Sequence, residues 1–268
     1  MLVQKSGQVD VINAVWDFLV GDKPREVIHY SSRWSDAPEP ADCAFPARCI
    51  RHGLPVVREH WLWQGADVGQ YRKMLYDYED PRVDLQGRGF LGFGKVHVRD
   101  ADRRSKTTTS FDNATRSGTI YPYAGLPKVV MHVAPILHEP PPSLPAVVRA
   151  RIPRTETFYH LKHTVFSAHF VHPFAWTSDE WEQDVLLKTD GVDVPHYPPA
   201  FYERRRSGNF EYDDYGNRTN SEEVTQGGVR RILHTPCLGV LLRKLRERSM
   251  GSGRARRSLT IGLDARRA

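Results

Sequence analysis

Cysteine is scarce: three in 268 residues, Cys43, Cys49 and Cys237. That is too few for the disulfide scaffold of a small secreted domain. Cys43 and Cys49 are within reach of each other, but five intervening residues on irregular backbone leave their pairing open. Long apolar runs are missing as well. The best one, Val11 to Val20, is interrupted by Asn13 and Asp17 and has neither a basic lead-in nor a small-residue cleavage site. No stretch reaches the roughly 18 apolar residues of a membrane helix. We therefore expect no membrane span and no recognisable secretory signal. Extended helical periodicity is absent too, because 19 Pro and 20 Gly punctuate the chain.

The aromatic residues are plentiful, with 11 Tyr, 11 Phe and 6 Trp, and they suit pleated, half-buried surfaces. At 40% hydrophobic and 26% charged residues, wholesale disorder is excluded. The net charge of +6 suggests nucleic acid until it is located. Residues 229–268 hold 11 Lys or Arg against Glu247 and Asp264, a net of +9, so residues 1–228 carry a net of −3. No aromatic residue follows Tyr215 in the last 53 positions, which removes any stacking platform for single strands. The reading is a mixed segment over 1–42, a β region over 43–228 and a disordered or non-native basic tail over 229–268, with no specific nucleic-acid partner.

Period-two segments predict the strands. Leu54 to Gln64 and Gln70 to Tyr78 read as two of them. Phe93, Lys95, His97 and Arg99 alternate with Val96 and Val98, and Asp100 to Arg104 turns the chain into a Thr-rich return strand, Ser105 to Phe111. Val129 to Leu137 is another strand, closed by Glu139-Pro140-Pro141-Pro142 as a linker or an edge. Ala146 to Pro173 reads as two strands, and Phe210 to Thr219 as strand, turn and strand. Thr177 to Lys188 is expected to be the one short helix, with Thr177 or Ser178 as N-cap and acids in its first turn.

Several constellations resemble reactive sites. Gly87-Arg88-Gly89-Phe90-Leu91-Gly92 spells G-x-G-x-x-G, yet polar, Pro-containing sequence precedes it and a strand pattern follows, where a dinucleotide site needs a strand before and a helix after. It reads instead as a kinked β segment in which Phe90, Leu91 and Phe93 supply core. Among His160, His163, His169 and His172 the spacings of three, 160/163 and 169/172, put partners on opposite faces of a strand, and no acid lies among them. Cys43, Cys49, His52 and His60 match no known zinc spacing. Glu180-Trp181-Glu182 is an E-x-E pair, similar to the carboxylate arrangement that ADP-ribosyltransferases use, with Thr107 to Ser110 and Arg104 as candidate companions, but on a helix positions i and i+2 diverge and a solvated helix face is the reading. No G-x-S-x-G or H-E-x-x-H occurs. Catalytic, cofactor-binding and metal residues are accordingly assigned as none.

Four stretches carry a resemblance. Tyr76-Asp77-Tyr78 through Gly87-Arg88-Gly89-Phe90-Leu91-Gly92-Phe93 resembles the Y-x-Y…G-R-G-F-x-G-F element of toxin-complex B-components and related Rhs (YD-repeat) proteins. Ser110 to Arg116 resembles the Phe/Tyr-Asp unit that follows it there. Tyr121-Pro122-Tyr123-Ala124-Gly125-Leu126-Pro127 is similar to the family's Y-P-x-x-G-x-P signature, and Phe210-Glu211-Tyr212-Asp213-Asp214-Tyr215-Gly216-Asn217-Arg218-Thr219 to a YD repeat, Y-D-x-x-G-N. In that repeat Tyr packs, Asp supports the turn and Gly takes a positive φ.

The resemblance implies a mainly β, multi-stranded antiparallel segment of a hollow cocoon wall. Such a wall belongs to a secreted assembly that encloses a C-terminal toxin, and its partners are other shell segments or toxin-complex subunits. It also implies no catalysis by this chain and no cofactor. The tandem repeats that should follow Thr219 are replaced by the basic tail and no effector domain is present, so a truncated piece is expected. The alternatives are an ADP-ribosyltransferase using Glu180 and Glu182, or a carbohydrate- or surface-binding β module.

Overall fold

The computed structural model describes residues 2–5, 8–16, 24–33, 43–50, 52–65, 70–137, 143–163, 169–189, 191–194, 202–225 and 228–233. Among these described residues fifteen strands follow in chain order. The first five are β1 (Leu2–Lys5), β2 (Gln8–Trp16), β3 (Pro24–Arg33), β4 (Ala47–Cys49) and β5 (His52–Trp63). Next come β6 (Tyr71–Asp84), β7 (Gly89–Asp100), β8 (Ser105–Phe111), β9 (Pro127–Pro135) and β10 (Ala146–His163). The last are β11 (His169–Lys188), β12 (Gly191–Asp193), β13 (Arg204–Tyr212), β14 (Arg218–Thr225) and β15 (Gly228–Leu233). Neighbours in sequence are neighbours in the sheet, β1-β2-β3-β5-β6-β7-β8-β9-β10-β11-β13-β14-β15, with β4 attached to β6 and β12 to β11. Each named strand pairing is antiparallel. The molecule is a meander, mainly β as its alternation predicts. The ladder also runs through β3–β5 and β14–β15, across positions 42/43 and 228/229.

Local chemistry accounts for the hairpins. At the β7–β8 turn, Asp100 accepts from the backbone N–H of Asp102 at 3.2 Å and Arg103 at 3.1 Å. Its other oxygen accepts from Arg72 Nε at 3.0 Å. Burial opposes ionisation of Asp100, yet these donors outweigh it and hold its carboxyl below the usual range. Arg104 takes the left-handed backbone (φ 52°) that closes the turn.

The expected helix over Thr177 to Lys188 is not formed. That segment is the second half of β11, paired with β10 from Ala146↔Leu187 to Glu156↔Thr177. Asp179, Trp181, Val185 and Leu187 are buried at period two, the signature of a strand. The cap-like Thr177 and Ser178 and the acids that follow offer a local preference of a kcal/mol or so. A continuous ladder plus burial of Trp181 exceeds it. The two strands expected in Ala146 to Pro173 are present, with the second extending to Lys188.

The principal core lies on one face of β9–β10–β11: Val133, Ala150, Ile152, Trp181, Val185 and Leu187, joined by Val192 of β12. Tyr202 closes over it, its ring edge-on to Trp181 at 5.7 Å. The Pro-rich stretch Glu139 to Pro142 lies outside the described residues, as does the chain after residue 233 on which the disordered tail was expected.

Candidate functional site

Three of the four segments that carry the resemblance meet in space. Strand β6 does not stop at Tyr78. It continues through Pro81 to Asp84 and turns at Leu85 to Arg88 into β7. The glycine run is thus the return of a hairpin, with a register shift opposite Leu91, between Arg82↔Gly92 and Val83↔Phe90. Gly87, Gly89 and Gly92 have φ of 128°, 77° and 103°. Gly92 matters most, because a Cβ there would also sit 3.2 Å from Asn113 Nδ2. The expected core role holds for buried Leu91, but Phe90 is 41% exposed and packs only edge-on against Phe93, centroids 5.4 Å apart. The register shift beside Leu91 turns that ring outward.

Asn113, 2% exposed, ties this hairpin to the next signature. Its Nδ2 donates to the Phe93 carbonyl at 2.7 Å, and its Oδ1 accepts from Gly125 N–H at 3.0 Å. Arg88 donates to the carbonyl of buried Tyr121. Asp84 in turn accepts from Arg88 N–H at 3.0 Å. The glycine run, the Phe111-Asp112-Asn113 unit and the Tyr121-to-Pro127 loop therefore form one hydrogen-bonded body.

The YD-like unit is a turn between β13 and β14. Asp213 Oδ1 accepts from Tyr215 N–H at 2.9 Å and Asn217 N–H at 2.8 Å, and Oδ2 accepts from Asn217 Nδ2 at 3.0 Å. Burial pushes the Asp213 carboxyl up, but the Asn217 and Tyr215 donors prevail and lower it. Gly216 has φ 85° and lies against Phe170, so a Cβ there would be 3.2 Å from the ring. Tyr212 packs on His172, centroids 4.3 Å apart. All three roles expected of Tyr, Asp and Gly are thus present in this turn.

The other candidate sets separate. Within β11 His169 and His172, three residues apart, face opposite ways, but the β10–β11 hairpin pairs His160 with His172 and His163 with His169. The rings of His160 and His172 stand edge-on, centroids 5.7 Å apart. His172 is buried against Phe170 and Tyr212, and that burial, reinforced by His160 and Lys162, lowers its pKa. Glu180 and Glu182 lie on a strand, not a helix, so they share a face. Glu180 is paired with Arg151 and, at 3.8 Å, with Arg204, while Glu182 lies 3.5 Å from Arg149. Thr107 to Ser110 lie on β8, three strands from β11 and so about 14 Å away. In the second cysteine-histidine set, Cys43 and Cys49 are joined as a disulfide, Cα atoms 5.6 Å apart. His60 bonds Glu26 instead and sits opposite Met74, some eight residues or about 27 Å along β6 from Arg82, the partner of Cys49. The side chain of His52 lies outside the described residues. What joins the cysteines is Asp80, which sequence spacing did not flag. The three donor groups lie within 4.8 Å of one another.

One carboxylate gives a pH signature. Glu79 accepts from His97 Nε2 at 2.9 Å and from Lys95 Nζ at 3.2 Å. The His97 bond, working against burial, brings its pKa down to about 2 from 4.5. A depressed carboxylate pKa contributes stability that is complete above the unfolded value and is lost as pH falls from about 4.5 through about 2. Stability measured between those values should fall with acid, and Glu79→Gln should flatten that slope. Equal slopes in both proteins would remove Glu79 as the cause. Because Glu79 is 39% exposed, solvent screening keeps the effect modest.

No family profile, no curated protein and no solved structure matches this chain.

Proposed function

We propose that this chain is a structural wall segment of a secreted Rhs-type shell that encloses a toxin, without catalysis of its own. The observation that supports this reading most is the body centred on Asn113, in which three separate signatures are locked together by backbone-directed hydrogen bonds. A long antiparallel meander and a YD-like turn in which the Tyr, Asp and Gly roles are filled support it as well. Its partners are other shell segments and the enclosed toxin, and no membrane-spanning helix is called for: among the described residues no helix is long and apolar enough to cross a bilayer. The test is affinity recovery of the tagged chain from its source cells, followed by cross-linking mass spectrometry and electron microscopy. Hollow particles with cross-links to a YD-repeat polypeptide are expected. Recovery of the chain alone, cross-linked only to itself, would sink the proposal.

A second reading, a carbohydrate-binding module, draws on a cleft of about 290 Å³ bordered by Tyr123, Phe158, Tyr159 and Phe174, with Asp112 and Lys128 among its lining residues. Aromatic faces with a few polar groups suit a sugar ring. Saturable glycan-array binding lost on Phe174→Ala would favour it over the shell.

A further inference from the structure

Cys49 sits in β4, buried, opposite Arg82 of β6. Asp80, two residues before Arg82, holds a left-handed backbone (φ 52°) that a residue with a side chain seldom adopts. Its carboxylate occupies space that only a glycine at position 94 leaves, since a Cβ on Gly94 would lie 2.6 Å from Asp80 Oδ2. Arg82 Nε donates to both Asp80 oxygens at 3.0 and 2.9 Å, and Asp80 Oδ1 lies 3.9 Å from Cys49 Sγ. A disulfide sulfur carries no proton, so a carboxylate beside it gains nothing there. Beside two thiols, the same carboxylate is an acceptor and a third ligand. Backbone conformation, Gly94 and a buried guanidinium thus combine to aim one oxygen at two sulfurs.

The donor set also selects its ion. Two thiolates and one carboxylate are a soft-to-borderline set that favours zinc-class cations over calcium or magnesium. Metal–donor bonds of about 2.0–2.3 Å in a tetrahedron space donors roughly 3.5–3.8 Å apart, inside the 4.8 Å span observed. With Arg82 counted, the reduced cluster carries two net negative charges, which one divalent ion neutralises in a half-buried site.

We propose that the reduced chain binds one zinc-class divalent cation through Cys43, Cys49 and Asp80, with water in the fourth position, and that forming the Cys43–Cys49 disulfide expels it. The oxidant is a low-molecular-weight disulfide, RSSR. One thiolate attacks it and releases RS⁻, and the second thiolate displaces the other RS⁻ from the mixed disulfide. One S–S bond forms and one breaks, two electrons pass to RSSR, and the divalent ion leaves unchanged. This site is independent of the shell reading and survives its failure.

The experiment is anaerobic titration of the full, reduced chain with cobalt(II). One equivalent should produce intense tetrahedral visible bands and a thiolate-to-cobalt charge-transfer band. Oxidised glutathione should abolish both and release one cobalt per chain to a colorimetric chelator. Asn tolerates the left-handed backbone and keeps an oxygen for Arg82, so Asp80→Asn should retain the turn, checked by circular dichroism, while weakening binding about tenfold or more, at least what loss of an outer-shell partner costs. Cys49→Ser should cut the charge-transfer band by half or more, and Cys237→Ser should leave the spectrum intact. The proposal is overturned by reduced protein that shows no charge-transfer band, by unaltered affinity in Asp80→Asn, or by loss of the band in Cys237→Ser.

Discussion

Replacing Trp181 with alanine is expected to destabilise the protein by about 3–5 kcal/mol, the range for emptying a large aromatic site. Trp181 is 1% exposed and is the largest of the fully buried side chains. It stands among Ile152, Val185 and Leu187, under the ring of Tyr202, with its indole N–H donating to Gln183 at 2.9 Å. The surrounding ladder cannot collapse onto the hole, because β10 and β11 are held at fixed spacing by their hydrogen bonds. With a total stability of about 5–15 kcal/mol for a typical domain, that loss removes a large share. Urea denaturation reads it directly as a lower midpoint with unchanged slope. Val147, 71% exposed on the same strand pair, is the control, and its change to alanine should stay within about 0.5 kcal/mol. A Trp181→Ala cost no greater than the control's would mean that the β9–β11 core does not hold the sheet.

Asn113→Ala is the second large effect, expected at about 2–4 kcal/mol. The side chain is buried and its amide satisfies a carbonyl on one segment and an N–H on another. Alanine leaves both backbone groups without this partner in a site closed to water, at about 1–3 kcal/mol for each. Asn113→Asp is the informative companion. It keeps an acceptor for Gly125 N–H but sets a carboxylate oxygen against the Phe93 carbonyl, so it should be no better tolerated than alanine. If Asn113→Asp restored wild-type stability, the bond to Phe93 would carry no weight.

How far these sites were legible depends on how local their causes are. The β7–β8 hairpin was readable because alternation and the Asp100 turn act within a dozen residues. The Asp213 turn was readable for the same reason, with the three bonds to its carboxylate closing within four residues. Thr177 to Lys188 was misread because cap residues and acids are local helix signals, whereas the burial of Asp179, Trp181, Val185 and Leu187 exists only once β10 lies alongside. The facing of Glu180 and Glu182 follows from the same pairing. So does the meeting of His160 with His172, since spacing along one strand cannot register a partner on the next.

The opening scarcity of cysteine follows this division. From the sequence alone came the β class, the turns, the location of the basic excess and the two closely spaced cysteines, all consequences of residue type and short-range order. Only the tertiary structure decided that Cys43 and Cys49 are joined and that Asp80, not His60, is their third neighbour among the described residues. The reason is the register of β4 on β6. Pairing Cys49 with Arg82 brings Asp80 to the sulfurs, and that register is set by contacts across more than thirty positions of chain.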